Sequence, residues 1–392
     1  MVAIAAALSI AALAAAGQAP QAQEAGGARQ ATPAELKIQW GRNTIRTSPE
    51  KFQGYNQLAL GLIRRARETG DAGCYAEAQQ AVKKSLELAP DNFDARKAEI
   101  EILLGRQDFV PALAQAAALN HKVPDDVQVW GYMADANIGL GDYEEAEKAG
   151  QWMLALRSGN VAGLVVGATL RRLYGDADGA LDFLRQAYQQ TPPNEFEESA
   201  WLLTQMADIE RERGKNDLAD KLAGDALGAF PGYCRALEVQ AAVRMAQRRY
   251  PEAAALLSER NRNFPSLKSL YAQAEALSGA GDPAAAAAYA DFEAKARARV
   301  DQPDNANREL VLYYAADHAG KARQPAEALR IARIEIARRH DVLTLDAYAW
   351  ALAANHQYPE AQVQIKKALA VGIRDGELFA HAGEIAAKLA RM

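Results

Sequence analysis

The feature that most constrains this sequence is a repeat with a period of about 34 residues, which lies in the range typical of stacked repeat architectures. Nine copies are present, and in each a landmark residue is followed three places later by Ala. A chain with this periodicity builds a stack of similar units in which each unit contacts mainly its neighbours. The landmarks are Tyr75, Phe109, Tyr143, Ala177, Asn216, Tyr250, Pro283, Pro325 and Tyr358.

Two kinds of residue mark the boundaries inside each copy. Proline stands at one fixed distance after five of the landmarks, and proline ends a helix because it lacks the amide hydrogen and clashes with the preceding turn. Glycine precedes five of the landmarks, where a first helix must end and the chain must reverse. Each copy is therefore predicted to be helix, tight turn, helix and stop. The prolines are Pro90, Pro124, Pro192, Pro231 and Pro265, and the glycines are Gly105, Gly141, Gly175, Gly214 and Gly281.

The copy over residues 127–160 resembles the tetratricopeptide repeat (TPR) family, and the resemblance extends over roughly residues 48–392. It implies an all-α, right-handed α-solenoid of about nine helix-turn-helix units, which binds proteins or peptides and is not an enzyme. Trp is rare at the early family position, and two longer steps, from Ala177 to Asn216 and from Pro283 to Pro325, indicate insertions. The packing residues that match the family are Trp130, Met133, Ala134, Gly141, Tyr143 and Ala146.

Composition agrees with an all-α protein. Hydrophobic residues make up 49% of the chain and aromatic residues only 7%, so small aliphatic side chains dominate and favour closely packed helices. The formal net charge of -5 predicts an acidic surface that repels phosphate groups. We therefore expect no nucleic-acid partner.

The chain divides into four predicted segments: a signal peptide at 1–16, a flexible leader at 17–47, the TPR solenoid at 48–375 and a C-terminal capping helix at 376–392. The first segment is uncharged and ends in Ala-Ala-Ala, a pattern that signal peptidase accepts, although it lacks a basic start. Cleavage and retention as an anchor are both open, and cleavage would leave no stable membrane insertion. Either outcome predicts a periplasmic or secreted protein.

The sequence offers no cofactor, metal or catalytic motif. The five histidines are far apart, and the Gly-x-Gly segments fall at the turns of the repeat. The two cysteines, Cys74 and Cys234, are widely separated in the sequence. In an elongated stack such residues should lie far apart in space, so free thiols are expected rather than a disulfide.

A binding surface is predicted on the concave side, where the first helices align. At one exposed position of the repeat most copies carry an acidic residue, and neighbouring positions supply aromatic and arginine side chains. The candidate partner-binding residues are Glu101, Asp135, Thr169, Arg172, Trp201, Asp208, Arg211, Arg235, Tyr271, Glu275, Tyr313, Asp317 and Trp350.

Several interpretations of this stripe stay open. It is either the solvated face of amphipathic helices or a groove for a protein or peptide with basic or amine-bearing segments. The aromatic residues also suit a glycan or small molecule, or an accessory subunit of an envelope polysaccharide or assembly complex. An enzyme with a dispersed site is a further alternative. The sequence indicates neither the partner nor the oligomeric state.

Overall fold

A computed structural model describes residues 31–303, 307–318 and 321–391. The predicted signal peptide and the leader up to residue 30 lie outside the described residues. The described part contains twenty α-helices and no β-strand beyond one isolated bridge between His318 and Lys321. The prediction of an all-α solenoid is confirmed.

The helices follow one another with short connections. They are α1 (Pro33–Thr47), α2 (Phe52–Thr69), α3 (Gly73–Leu88), α4 (Phe93–Gly105), α5 (Phe109–Asn120), α6 (Val127–Leu140), α7 (Tyr143–Leu156), α8 (Val161–Leu173), α9 (Ala177–Gln190), α10 (Phe196–Glu212), α11 (Asn216–Ala229), α12 (Cys234–Ala246), α13 (Tyr250–Asn261), α14 (Leu267–Gly279), α15 (Ala285–Arg297), α16 (Asn307–Ala315), α17 (Pro325–Ile336), α18 (Val342–Ala354), α19 (Tyr358–Val371) and α20 (Gly376–Leu389).

Helices α2 to α19 form nine consecutive pairs, which we number as units 1 (α2, α3) to 9 (α18, α19). The landmark residues set the start of the second helix of each pair. Seven of them are its first residue, whereas Tyr75 is the third residue of α3 and Pro283 lies two residues before α15. The repeat in the sequence therefore defines the structural unit.

The turn inside the units has a recurring backbone conformation. The residue two places before the landmark is left-handed in seven units, and in three of these it is not glycine: Gln107 (φ 58°), Arg248 (φ 58°) and His356 (φ 60°). The shared turn therefore overrides the steric cost that a side chain meets in this conformation. One detail of the prediction is corrected, because Gly105 ends helix α4 and the chain reverses at Gln107 instead.

Close packing explains the glycine that the sequence places near the end of α4. A β-carbon built on Gly105 would lie 2.4 Å from the ring of Tyr75, and one built on Gly139 would lie 2.4 Å from the ring of Phe109. The landmark aromatic ring of one unit thus packs on the backbone of the next first helix. The Ala three residues after the landmark is fully buried in these units, as Ala78 and Ala112 show. These contacts bury the apolar stripe of each pair against its neighbour.

Helix α1 was not expected, since residues 33–47 fall in the predicted flexible leader. That part of the prediction is wrong. Ala34 and Ile38 are buried, and a β-carbon on Gly41 would lie 2.6 Å from the backbone nitrogen of Leu58. Because glycine lets the two backbones approach this closely, α1 packs tightly on α2.

Helix α20 begins at Gly376 and packs on the last pair through Leu378 and Ile385, both of which are buried. The hydrophobic cores mostly join sequence neighbours: one cluster extends from α14 to α20, and smaller clusters cover the earlier units. This arrangement is typical of a solenoid, in which stability is the sum of neighbouring interfaces.

The array also winds back on itself, which corrects one expectation about the cysteines. Cys74 and Cys234 are both free thiols, as predicted, and both are buried. They do not lie at distant places, however: a β-carbon on Gly70, four residues before Cys74, would lie 3.4 Å from the Cys234 sulfur. Sequence separation overestimates spatial separation here because unit 1 contacts the start of unit 6.

Candidate functional site

A cavity of about 300 Å³ opens on the face that the first helices of units 1 to 3 share. Helix α1 completes its wall. The cavity is lined by Lys37, Leu60, Ile63, Arg64, Arg67, Asp94, Lys97, Glu101 and Gln128. The cavity therefore lies on the predicted concave side of the array.

Helical periodicity places these side chains together. On α2 the lining residues are Leu60, Ile63, Arg64 and Arg67, which are spaced i, i+3, i+4 and i+7 and so share one face. The first two are apolar, and the last two carry positive charge beyond them. One helix thus supplies both an apolar wall and cations to the cavity.

Two of the four cations in the cavity are neutralised by the protein itself. Arg64 Nη2 lies 2.6 Å from Glu195 Oε2, and its Nε lies 3.2 Å from Glu68 Oε1. Lys97 Nζ lies 3.1 Å from Asp126 Oδ2. These two cations therefore serve mainly to hold the surrounding helices.

The other two cations are more available. Arg67 is half exposed, and its Nε is 3.7 Å from Glu197 Oε2, which is a loose ion pair. Lys37 is exposed and has no ion-pair partner among the described residues. Because Arg67 is only loosely paired and Lys37 is unpaired among the described residues, both can offer positive charge to a ligand in the cavity.

Glu101 is the one predicted site residue that lines this cavity. Its Oε1 accepts hydrogen bonds from Gln128 Nε2 at 2.8 Å and from the hydroxyl of Tyr132. Burial and the nearby carboxylate raise the pKa of Tyr132, so this phenol stays protonated and donates. Glu101 is consequently satisfied by the protein.

Asp135 is the most unusual of the predicted residues. It lies on α6 two turns beyond Gln128, on the same face, and its carboxylate has no hydrogen-bond or ion-pair partner among the described residues. Its side chain reaches solvent, but protein atoms surround the carboxyl group closely. The resulting loss of hydration raises the pKa of Asp135 to about 6. An unpaired carboxylate with a perturbed pKa is a candidate for function.

In the middle of the array the predicted charges pair with one another. Arg172 Nη2 lies 2.5 Å from Asp208 Oδ2 and also contacts Glu212, while Arg211 Nη2 lies 2.8 Å from Asp208 Oδ1. Burial alone would raise the pKa of Asp208, but the two guanidinium groups lower it to about 2. This network joins units 4 and 5 and leaves little charge for a partner.

Towards the C-terminus the predicted aromatic residues form part of the core. Tyr313 is only 3% exposed, which corrects its assignment to an exposed stripe. The ring of His318 lies 4.7 Å from those of Tyr289 and Tyr313, and Tyr271 packs at the edge of this cluster. Glu275 accepts from the Tyr289 hydroxyl and has His318 Nδ1 at 3.6 Å. The inner face of this region is therefore filled.

Two predicted tryptophans are also partly packed. Trp350 stacks on His381 with ring centroids 4.2 Å apart, and His381 Nδ1 is 2.8 Å from Asp346 Oδ1. Trp201 packs against the hydrophobic cluster of units 4 and 5. The glycan alternative, which relied on open aromatic rings, loses support at these positions.

The remaining predicted residues do not converge. The hydroxyl of Thr169 donates to the Val165 carbonyl of its own helix, and Asp317 accepts from the Arg323 backbone N–H at 2.9 Å. Arg235 is exposed and has no ion pair among the described residues. These residues thus form no common site with the Tyr313 cluster.

Four cations of the cavity are absent from the predicted set of site residues: Lys37, Arg64, Arg67 and Lys97. Arg67 stands at the stripe position of the first copy, 34 residues before Glu101, but the predicted stripe did not include that copy, and Lys37 falls in the predicted leader. The helical spacing from Leu60 to Arg67 was available as a signal. A search for basic residues at i and i+3 on the first helices would have found two of the four, Arg64 and Arg67.

The described residues contain no group of three or more His, Cys, Asp or Glu side chains that could hold a metal ion. Across the same residues, no helix combines the length and hydrophobicity that crossing a membrane requires. The cavity of units 1 to 3 combines open volume with the available charges of Lys37 and Arg67.

The sequence matches no protein-family profile and no curated protein. Solved structures are similar at low identity. A monomeric mutant of IFIT1 with Gppp-AAAA is 15% identical, with a TM-score of 0.51, over 86% of this chain and 76% of that chain. The APC/C hetero-tetramer Cut9-Hcn1 is 11% identical, with a TM-score of 0.49, over 90% of this chain. PilW, a type IV pilus biogenesis factor, is 15% identical, with a TM-score of 0.43, over 53% of this chain and 93% of that chain.

The chain spans 59% of the length of the Cut9-Hcn1 chain that it matches. At these identities the likeness concerns the fold alone. The solved neighbours are TPR proteins, and this chain folds as an α-solenoid of the TPR type.

Proposed function

We propose that the chain is a non-enzymatic binding scaffold that takes a short segment of a partner protein into the cavity between α1, α2, α4 and α6. The observation that carries this proposal is the pair of available cations, Lys37 and Arg67, beside an apolar wall in a concave volume of about 300 Å³. Few convergent polar groups in an otherwise apolar concavity are typical of a binding site.

The charges favour a carboxylate-bearing segment. Lys37 and Arg67 supply positive charge, whereas the carboxylate of Glu101 is already occupied by Gln128 and Tyr132. This differs from the basic partner expected from the acidic stripe, because most of the stripe carboxylates have internal partners. An acidic side chain or a terminal carboxylate in the cavity would complete the pairing that the protein leaves open.

An exposed apolar side chain lies near Lys37. Trp40 follows Lys37 by three residues on α1, so the two side chains share one side of the helix, and Trp40 is 51% exposed. Exposed tryptophans are common anchors at protein interfaces. We therefore propose that the partner segment places an apolar residue close to its acidic group.

The test is a peptide-binding measurement with matched variants. The double variant Lys37→Ala/Arg67→Ala removes both available cations, and Lys366→Ala/Arg333→Ala removes the same charge from exposed positions elsewhere. Acidic, neutral and basic peptide sets are compared with RNA oligonucleotides and glycans. We expect acidic peptides to bind the wild-type chain with a salt-dependent affinity. The first variant should weaken that binding about 10- to 100-fold, as for charge-assisted pairs.

Two outcomes would contradict the proposal. If both double variants weakened binding equally, the effect would come from net charge and not from the cavity. If basic peptides, RNA or glycans bound and the acidic set did not, the proposed class of partner would be wrong.

We also propose export to the periplasm or the medium, which is supported by the uncharged N-terminal segment ending in Ala14-Ala15-Ala16. N-terminal sequencing of the protein recovered from a bacterial envelope fraction tests this. A mature chain beginning after Ala16 is expected, and an unprocessed chain in the cytosol would contradict it.

A further inference from the structure

The turns inside units 2 to 4 contact the connections that follow units 8 and 9. We call this contact the seam. One side consists of Gln107, residues 140–143 and residues 174–175, and the other consists of residues 339–342 and 372–374. The two sides are distant in the sequence: Tyr143 and Val342, which contact each other, are 199 positions apart. The seam therefore joins successive turns of the array.

Hydrogen bonds across the seam use backbone groups that a simple stack would leave to water. The His340 N–H donates to the Leu140 carbonyl at 2.9 Å, and the Val342 N–H donates to the Tyr143 hydroxyl at 2.9 Å. Val342 is the first residue of α18, where an amide has no acceptor within its own helix. The seam therefore satisfies a helix end of unit 9 with the landmark tyrosine of unit 3.

A single arginine adds two further contacts. Arg339 Nη1 donates to Gln107 Oε1 at 2.9 Å, and the guanidinium lies 5.3 Å from the centre of the Phe109 ring. The same side chain also donates to the Pro303 carbonyl. Arg339 thus connects unit 2 to the end of unit 8.

The backbones approach so closely that no side chain fits between them. A β-carbon on Gly175 would lie 2.5 Å from the Gly372 carbonyl oxygen, and one on Gly141 would lie 2.6 Å from the His340 carbonyl. These glycines also hold left-handed turn conformations. Glycine at these places lets the two sides meet without a gap.

The seam is mainly polar, whereas the interfaces between neighbouring units are hydrophobic. The core clusters follow sequence neighbours, and Leu173 of unit 4 is the residue before α14 that packs against the cluster of α14 to α20. In a solenoid the neighbouring interfaces supply the stability of the units. Separating the seam would consequently break a few hydrogen bonds and one apolar contact while every unit stays folded.

We propose that the seam is a reversible latch between a closed and an open form of the array. In the closed form the bonds of Arg339, His340 and Val342 hold units 8 and 9 against units 2 to 4. In the open form the two turns separate and more of the concave face is accessible. This inference goes beyond the proposed function, since it concerns the free chain and needs no ligand.

Hydrogen exchange of the Val342 amide reports the latch directly. In the wild-type chain this amide should exchange more slowly than the amides of Val127 and Val161, which hold the same helix position without an acceptor across the array. It should exchange faster than the interior amides of α18, because opening the seam requires less free energy than unfolding a unit.

The variant that tests the latch is Tyr143→Phe/Arg339→Ala, with Tyr250→Phe/Arg333→Ala as its control. Tyr250 is the landmark tyrosine of unit 6, and no described residue bonds its hydroxyl. We expect the first variant to lower Val342 protection at least about tenfold, as the loss of two hydrogen bonds implies. Its radius of gyration in small-angle X-ray scattering should increase, while interior protection of α18 stays the same.

The control variant should leave all three measurements at the wild-type values. The latch is refuted if the seam variant keeps the wild-type protection and radius of gyration. It is also refuted if protection falls equally at Val342 and inside α18, because opening would then require unfolding of unit 9.

Discussion

The concave face differs between the N-terminal and the C-terminal units although the same helices of the repeat build it. Across α1 and units 1 to 3 the face is open, and Lys37, Arg67 and Asp135 lack strong internal partners. In units 7 and 8 it is filled by Tyr271, Tyr313 and His318. Equivalent repeat positions therefore differ in their availability to a partner.

The reason for the difference is in the connections. Units 1 to 3 follow the regular period of the repeat, and short turns leave the inner face uncovered. The step from Pro283 to Pro325 is longer than the others, and its extra length includes His318. That side chain packs against the rings of Tyr289 and Tyr313 and covers them. An insertion in a repeat can thus occupy a surface that the neighbouring repeats leave free.

Removing a ring from the filled region tests this comparison with the largest expected effect. Tyr313→Ala should destabilise the protein by about 3 to 5 kcal/mol, because it deletes a buried aromatic side chain and leaves a cavity. The shift in urea midpoint, followed by circular dichroism, measures it. The matched control is Tyr188→Ala at a tyrosine that is 42% exposed, and it should change the stability by less than about 0.5 kcal/mol. Equal effects of the two substitutions would mean that the C-terminal face is not filled.

The ion-paired middle of the array gives a smaller effect with a defined pH dependence. Arg172→Ala should lower the free energy of unfolding by about 2 kcal/mol at pH 7, because it removes the positive charge that pairs with the carboxylates of Asp208 and Glu212. The pKa of Asp208 is lowered to about 2 in the folded chain, so its pairing stabilises the protein fully above the unfolded pKa and is lost as the pH falls towards 2. The difference between variant and wild type should therefore shrink below about pH 4.

Arg171→Ala is the control for this measurement. Arg171 is exposed and pairs with Asp176 at the surface, so its removal should cost less than about 0.5 kcal/mol at any pH. A pH-independent loss for Arg172→Ala would show that its contribution comes from packing and not from the charge of Asp208.

Much of the fold followed from the sequence. The repeat located the start of the second helix in seven units, and the prolines located the ends of preceding helices. What the sequence did not provide depends on contacts between distant parts. Helix α1 was missed because residues 33–47 carry no landmark, and its packing depends on Gly41 meeting the backbone of α2. The seam was missed because a repeat describes neighbours and not successive turns.

The candidate site was predicted less well, for a related reason. Helical periodicity correctly indicates which side chains of a first helix share a face, but it does not indicate which of them find partners. Asp208 and Glu275 are occupied by residues of their own or neighbouring units, whereas Asp135 is not. Arg64 and Arg67 lie on the same face of the array. Only their enclosure by α1 and α4 distinguishes them from the other charged residues of that face.

Asp135 gives the smallest expected effect and the sharpest test of the open region. Its pKa is raised from 3.8 to about 6 by burial, so the ionised form is disfavoured in the folded chain. The resulting destabilisation of the folded chain is absent below the pKa of this group in the unfolded chain, and it reaches its full size above pH 6. A shift of this size corresponds to about 3 kcal/mol in a dry site, and we reduce it to about 1 kcal/mol because the carboxylate reaches solvent.

Asp135→Asn should therefore stabilise the protein by about 1 kcal/mol at pH 7 and by nearly nothing at pH 4. Thermal melts at the two pH values measure this, with Asp125→Asn as an exposed control that should have little effect at either. A gain at both pH values would indicate that the amide forms a new bond. A gain confined to neutral pH would mean that the chain keeps an unfavourable carboxylate on its open concave face. Because natural chains tend to retain such a cost where a site requires it, that result would favour a functional role for Asp135.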